Sequence, residues 1–158
     1  MNGEPRGPAS RALITRRLAA TLNAVEALCS ELRTCSFAGL PPRERFVVEL
    51  LLREALTNAV VHGANRDPGR AIECELEMIP GGIVLRVCDD GEGFDWRMQV
   101  NQTAQSFAES GRGLEILRRY CARLRFNEAG NGVEMVRTFD HEQPENPPKG
   151  DNYGELQN

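Results

Sequence analysis

A chain of 158 residues with 41% hydrophobic side chains is the right size for one domain around one core. Its net charge of −4 and pI near 5.3 exclude nucleic acid as the main partner, because that role demands a basic footprint. Lys149 is the only lysine, which excludes a P-loop mechanism that depends on a phosphate-binding lysine.

In chain order, residues 1–10 carry Gly3, Pro5, Gly7 and Pro8 and read as an arm. A strand is expected over about 11–18 and a helix over about 22–34. A longer helix, about six turns, spans about 41–62: past its opening prolines it has no glycine or proline, and Gly63 stands just beyond its end. Along its i+4 stripe the residues read Phe46, Leu50, Glu54, Asn58, His62. Successive members are offset by only about 40°, so they share one slowly drifting face that is expected to point inward.

Ile72, Cys74, Leu76 and Met78 alternate with Glu73, Glu75 and Glu77, the signature of a strand with one buried and one wet face. Pro80-Gly81-Gly82 turns the chain into Ile83, Leu85 and Val87, and period two places Asp89 on their face. The polar, aperiodic stretch 94–110 is expected to be a lid. A helix over 113–122 and strands over 123–128 and 132–139 follow, the last two forming a hairpin that turns at Gly130-Asn131-Gly132. Residues 141–158 are polar and proline-containing, with almost nothing to bury. Adjacent hairpins and three amphipathic helices predict an α/β two-layer sandwich, with a mostly antiparallel sheet covered on one face. The ordered domain is expected over 11–140.

Three motifs carry the chemistry, and each alone has a plain structural explanation. Glu54-x-x-x-Asn58 puts two polar groups one turn apart on a helix that buries apolar neighbours; a solvated face explains either residue alone. Asp89-x-Gly91-x-Gly93 points a carboxylate where Ile, Leu and Val point, costly unless a donor such as an adenine amine meets it. Its two glycines allow unusual backbone angles and close approach of a flat base, although an Asp-Gly turn without ligand fits as well. Gly111-Arg112-Gly113-Leu114 opens a helix whose free N–H groups and guanidinium suit phosphate; the alternative is a flexible loop before a surface helix. The order of the three is what gives them weight. The five cysteines show no C-x-x-C spacing and read as reduced residues, not zinc ligands. No apolar run approaches membrane-spanning length and no signal sequence opens the chain, so a cytoplasmic protein is expected.

These residues resemble the N-box and the two glycine boxes of the GHKL ATPase superfamily, and among its members most resemble the bacterial anti-sigma factor serine/threonine kinases. The resemblance covers residues 11–140. It implies Glu54 as general base, Asn58 as ligand of Mg²⁺, and a nucleotide site for ATP that includes His62, Asp89, Gly91, Gly93, Gly111, Arg112, Gly113 and Leu114. It further implies a STAS-type antagonist as phosphate acceptor, a sigma factor as second partner and a homodimer paired through the first strand. One departure stands out: many relatives have Gly-Thr before the last strand, whereas here Gly132 precedes Val133 and the hydroxyl that assists base recognition is missing. A histidine-kinase catalytic domain and a non-catalytic, nucleotide-holding binding module are the rival readings. The former usually lacks the N-box glutamate, and this chain has only His62 and His141 as histidines.

Overall fold

The computed structural model describes residues 13–93 and 111–139. The N-terminal arm, the expected lid with Trp96 and the tail with His141 lie outside the described residues. The elements are β1 (Leu13–Ala19), α1 (Leu22–Cys35), α2 (Pro42–Asn58), a π-turn (Ala59–Gly63), β2 (Ala71–Ile79), β3 (Gly82–Asp89), α3 (Gly111–Tyr120), β4 (Arg123–Phe126) and β5 (Gly132–Thr138).

The alternating sequences of β2 and β3 pair antiparallel, with Leu76 opposite Leu85 and Cys74 opposite Val87. β1 adds to β2 on one side and β5 to β3 on the other, giving the sheet order β1-β2-β3-β5-β4 with every pairing antiparallel. One face of this sheet supplies Ile72, Cys74, Leu76, Ile83, Leu85 and Met135 to the core. The helices cover that face. From α1 come Val25, Leu28 and Leu32, from α2 Val47, Val48, Leu51, Leu52, Ala55 and Leu56, and from α3 Leu117. The other face carries Glu73, Glu75, Arg86 and Glu134, with Arg86 reaching Glu77 at 3.1 Å and Glu134 at 3.0 Å. The expected two-layer α/β sandwich is therefore the observed one.

Local chemistry explains the helix ends. Thr21 caps α1, its hydroxyl accepting from the Ala24 N–H at 3.2 Å. α2 opens on Pro41 and Pro42, whose missing N–H groups fall where a helix has no acceptors for them anyway.

Two expectations are corrected. The Phe46–His62 stripe is not an inward face: Phe46 is 66% exposed, Leu50, Glu54 and Asn58 are half-buried, and His62 is exposed. The core is taken by the neighbouring stripe through Val47, Leu51 and Ala55, and the 40° drift leaves Glu54 and Asn58 at the border with α3. Nor does the long helix remain α-helical to His62. After Asn58 it widens into the π-turn, closed by the Ala64 N–H donating to the Ala59 carbonyl at 2.7 Å. Gly63 is not in the left-handed region; Asn65 and Arg66 take positive φ, 56° and 58°.

Candidate functional site

Between α2, α3 and the C-terminal half of the sheet lies a cleft enclosing about 560 Å³, its open mouth included. The α2 side supplies Ala55, Asn58, Ala59, His62 and Gly63, and α3 supplies Leu114 and Leu117. β3 contributes Val87 and Asp89, and the β4–β5 hairpin closes the far wall with Phe126, Asn131 and Val133. The walls are mostly apolar, with few polar groups, as suits a flat heteroaromatic ring. Val133 adds an apolar side chain to that wall.

Asp89 is the buried polar group of this cleft, 7% exposed. The strand pattern put it there: it shares the inward face of Ile83, Leu85 and Val87. One carboxylate oxygen, Oδ1, accepts the Gly91 N–H at 2.8 Å, and Oδ2 has no hydrogen-bond partner among the described residues. Burial pushes its carboxyl above the usual range, with the Gly91 N–H opposing. A carboxylate with one oxygen unpaired beside an apolar slot is a receptor for an N–H donor.

The glycines around Asp89 make room for it. A Cβ on Gly63 would overlap the Asp89 carboxylate, and one on Gly91 would overlap the Gly63 carbonyl. Gly63 is therefore required for close approach, not for ending a helix. Gly91 likewise makes room for protein backbone rather than for a base. Gly93 does take a left-handed φ of 80° and packs on the Ala129 carbonyl.

At the other end, Glu54 and Asn58 meet the first turn of α3. A Cβ on Gly113 would lie 2.9 Å from Glu54 Oε2 and 3.3 Å from Asn58 Nδ2. Glu54 does not line the cleft itself; it stands beside Asn58, which does. Neither side chain has a hydrogen-bond or ion-pair partner among the described residues. Burial pushes the Glu54 carboxyl up, with Arg53 partly opposing. The helix of Gly111–Tyr120 begins here, so its free N–H groups open next to these side chains. Arg112 is exposed in that first turn.

The structure thus brings Asn58, His62, Asp89 and Leu114 into one cleft, with Glu54 and Gly113 adjoining. Gly91 and Gly93 shape the loop behind Asp89. No group of three or more His, Cys, Asp or Glu residues that could hold a metal is found among the described residues. A hard cation would take the Asn58 oxygen, with its remaining ligands coming from ligand phosphates and water, the usual habit of Mg²⁺. The Asn58 amide, without a partner among the described residues, and the nearby helix N-terminus fit that group. Sequence reasoning missed Asn127 and Asn131, whose amides tie the hairpin to the Asp89 loop; the run Asn127-x-x-Gly130-Asn131-Gly132 was a legible turn signal.

An open antiparallel sheet, one helical layer and a cleft between helix and sheet define a two-layer α/β module with a ligand-sized cleft. The chain belongs to the histidine kinase-like ATPase domain family, which residues 18–137 match. It is similar to anti-sigma F factors. That of Geobacillus stearothermophilus is 29% identical over 77 residues, covering 46% of this chain and 53% of the relative. That of Shouchella clausii is 26% identical over 82 residues, 49% and 56% of the two chains, and that of Clostridium botulinum (strain Eklund 17B / Type B) 24% over 100 residues, 59% and 70%. The chain spans about half the length of the first of these relatives. No helix among the described residues is long and apolar enough to cross a membrane.

Proposed function

We propose that this chain is an ATP-dependent protein serine/threonine kinase that also acts as an anti-sigma factor. It would bind a sigma factor in one state and phosphorylate a serine of a STAS-type antagonist in the other, as a cytoplasmic homodimer. The observation that carries the reading is the pairing of Glu54 with Asn58, side by side against the first turn of α3 and without a partner among the described residues. A binding module would need Asn58 and Asp89 but has no use for a desolvated carboxylate beside them.

In this reading Asp89 accepts the exocyclic amine of adenine, while Val87, Leu114 and Val133 pack on the ring. His62 stands at the cleft's α2 wall, where the nucleotide passes. Gly111, Arg112 and Gly113 offer N–H groups and a guanidinium to the phosphates. Asn58 gives its carboxamide oxygen to Mg²⁺, which when bound neutralises phosphate charge. Glu54 accepts the proton of the attacking serine hydroxyl; a carboxyl raised by burial is a better proton acceptor than an exposed one. The exposed Leu13 of β1, at one edge of the sheet, supports pairing of two copies there.

The test is capture from native cytoplasm with and without ATP, followed by incubation of captured proteins with Mg²⁺ and γ-labelled ATP. Label on a serine of a small STAS protein is the expected result. Calorimetric binding of Mg-ATP with no label transferred to any captured protein leaves the binding-module reading instead.

A further inference from the structure

The β4–β5 turn holds the Asp89 loop through two asparagines. Asn127 Oδ1 accepts three backbone N–H groups, from Gly130 at 2.8 Å, Asn131 at 3.0 Å and Gly132 at 3.1 Å. Its Nδ2 donates to Asn131 Oδ1 at 2.7 Å. Asn131 Nδ2 in turn donates to the carbonyls of Asp89 and Gly91, both at 3.2 Å. The Asp89 N–H returns a bond to the Asn131 carbonyl at 2.9 Å. The amide orientations follow from this network, since only one places donors on acceptors throughout.

Both N–H bonds of Asn131 are therefore used, and its oxygen already accepts. Although Asn131 lines the cleft, its side chain holds protein backbone rather than offering a donor to a ligand. What it holds is the segment that aims Asp89: the Gly91 N–H fixes Oδ1, and the Gly91 carbonyl is fixed by Asn131. Val133 adds no polar atom to the opposite wall, so the polar reading of a base falls on Asp89 and its aim decides the outcome.

We propose that Asn127 and Asn131 form a positioning relay that sets both nucleotide affinity and base preference by aiming the Asp89 carboxylate without themselves bonding the base. The proposal rests on the nucleotide-binding reading above. The experiment compares wild type, Asn131→Ala and Asn127→Asp, each with Asp89 intact and with Asp89→Asn. Mg-ATP and Mg-ITP affinities are measured by calorimetry, inosine lacking the exocyclic amine. Exchange of the Gly91 amide is followed without nucleotide. Asn127→Asp keeps an acceptor for the three turn N–H groups and puts a charged oxygen against Asn131 Oδ1 in place of the donor, which breaks the relay without deleting the turn's acceptor, so it serves if Asn131→Ala does not fold.

Breaking the relay is expected to weaken ATP about tenfold, the scale of one buried hydrogen bond, and to erode the preference for ATP over ITP. It should cost little more once Asp89→Asn is present, and Gly91 exchange should speed about tenfold. Losses of equal size in both Asp89 backgrounds, with the ATP preference intact, overturn the relay, and so does unchanged Gly91 exchange. Wild-type protein that binds neither nucleotide while Gly91 exchange responds overturns the nucleotide reading instead.

Discussion

Glu54 is a side chain placed at a cost. It is half-buried, has no partner among the described residues and has its carboxyl raised by that burial. A carboxyl raised in the folded state binds its proton more tightly than in the unfolded chain. Between the two pKa values the folded state holds more protons, so stability falls as pH rises through that window. Glu54→Gln removes the buried charge. The melting temperature should therefore rise by about 1–3 °C at pH 8, with the gain gone near pH 4, where the wild-type residue is neutral; calorimetry at the two pH values checks this. The same substitution should keep Mg-ATP affinity but lower serine phosphorylation by about 10²-fold or more, the scale of a positioned base. The wild-type rate should rise with pH to a plateau, with its inflection above the usual glutamate range. Wild-type turnover by Glu54→Gln would remove the base from the mechanism.

At the level of elements, two glycines separate folding from chemistry. Gly63, in the π-turn, faces the Asp89 carboxylate, itself held by Gly91, so a methyl there has nowhere to go. Gly113 faces the free end of Glu54, a flexible side chain that can swing away. Gly63→Ala should therefore cost about 1–3 kcal/mol of stability and weaken ATP at least tenfold. Gly113→Ala should cost less stability but displace Glu54 and lower turnover. Denaturant melts beside steady-state kinetics separate the two patterns. The strands were legible because period two and the Pro80-Gly81-Gly82 turn are local signals; Asp89 came with them. The π-turn was not, because it depends on where Gly63 must sit against a strand 26 residues further on. The inward face assigned to Phe46 failed because an i+4 stripe drifts, and only packing against α3 decides which turns are covered. Asn131 was read as a turn residue because its second task lies across the sheet.

On the scale of the molecule, Glu44 near the start of α2 and Arg137 near the end of β5 form a buried pair, 2.9 and 3.0 Å between Glu44 oxygens and the guanidinium. Glu44 is 6% exposed, and Arg137 also donates to the Tyr120 carbonyl at 3.1 Å, so helix layer, sheet and the end of α3 meet there. Glu44→Ala should cost about 3–5 kcal/mol by urea titration, and replacing both partners with apolar residues should recover most of it. β1 lies at one edge of the sheet with Leu13 57% exposed, and sedimentation of the proposed dimer should give twice 17.5 kDa at tens of micromolar. A single 17.5 kDa species there would count against it.

The opposite edge is β4, a strand of four residues with Arg123 and Arg125 exposed along it. Four residues make a poor template for a further strand; length rather than charge separates the edges, since β1 has seven residues and also carries exposed Arg16 and Arg17. With β1 as the proposed pairing edge and β4 too short to pair, like would meet like only once. Pairing of identical edges about a two-fold axis closes at two copies, whereas growth of an open fibre needs two complementary ends on every chain. In the proposed dimer the brevity of β4 would thus set a ceiling on assembly without touching the interface.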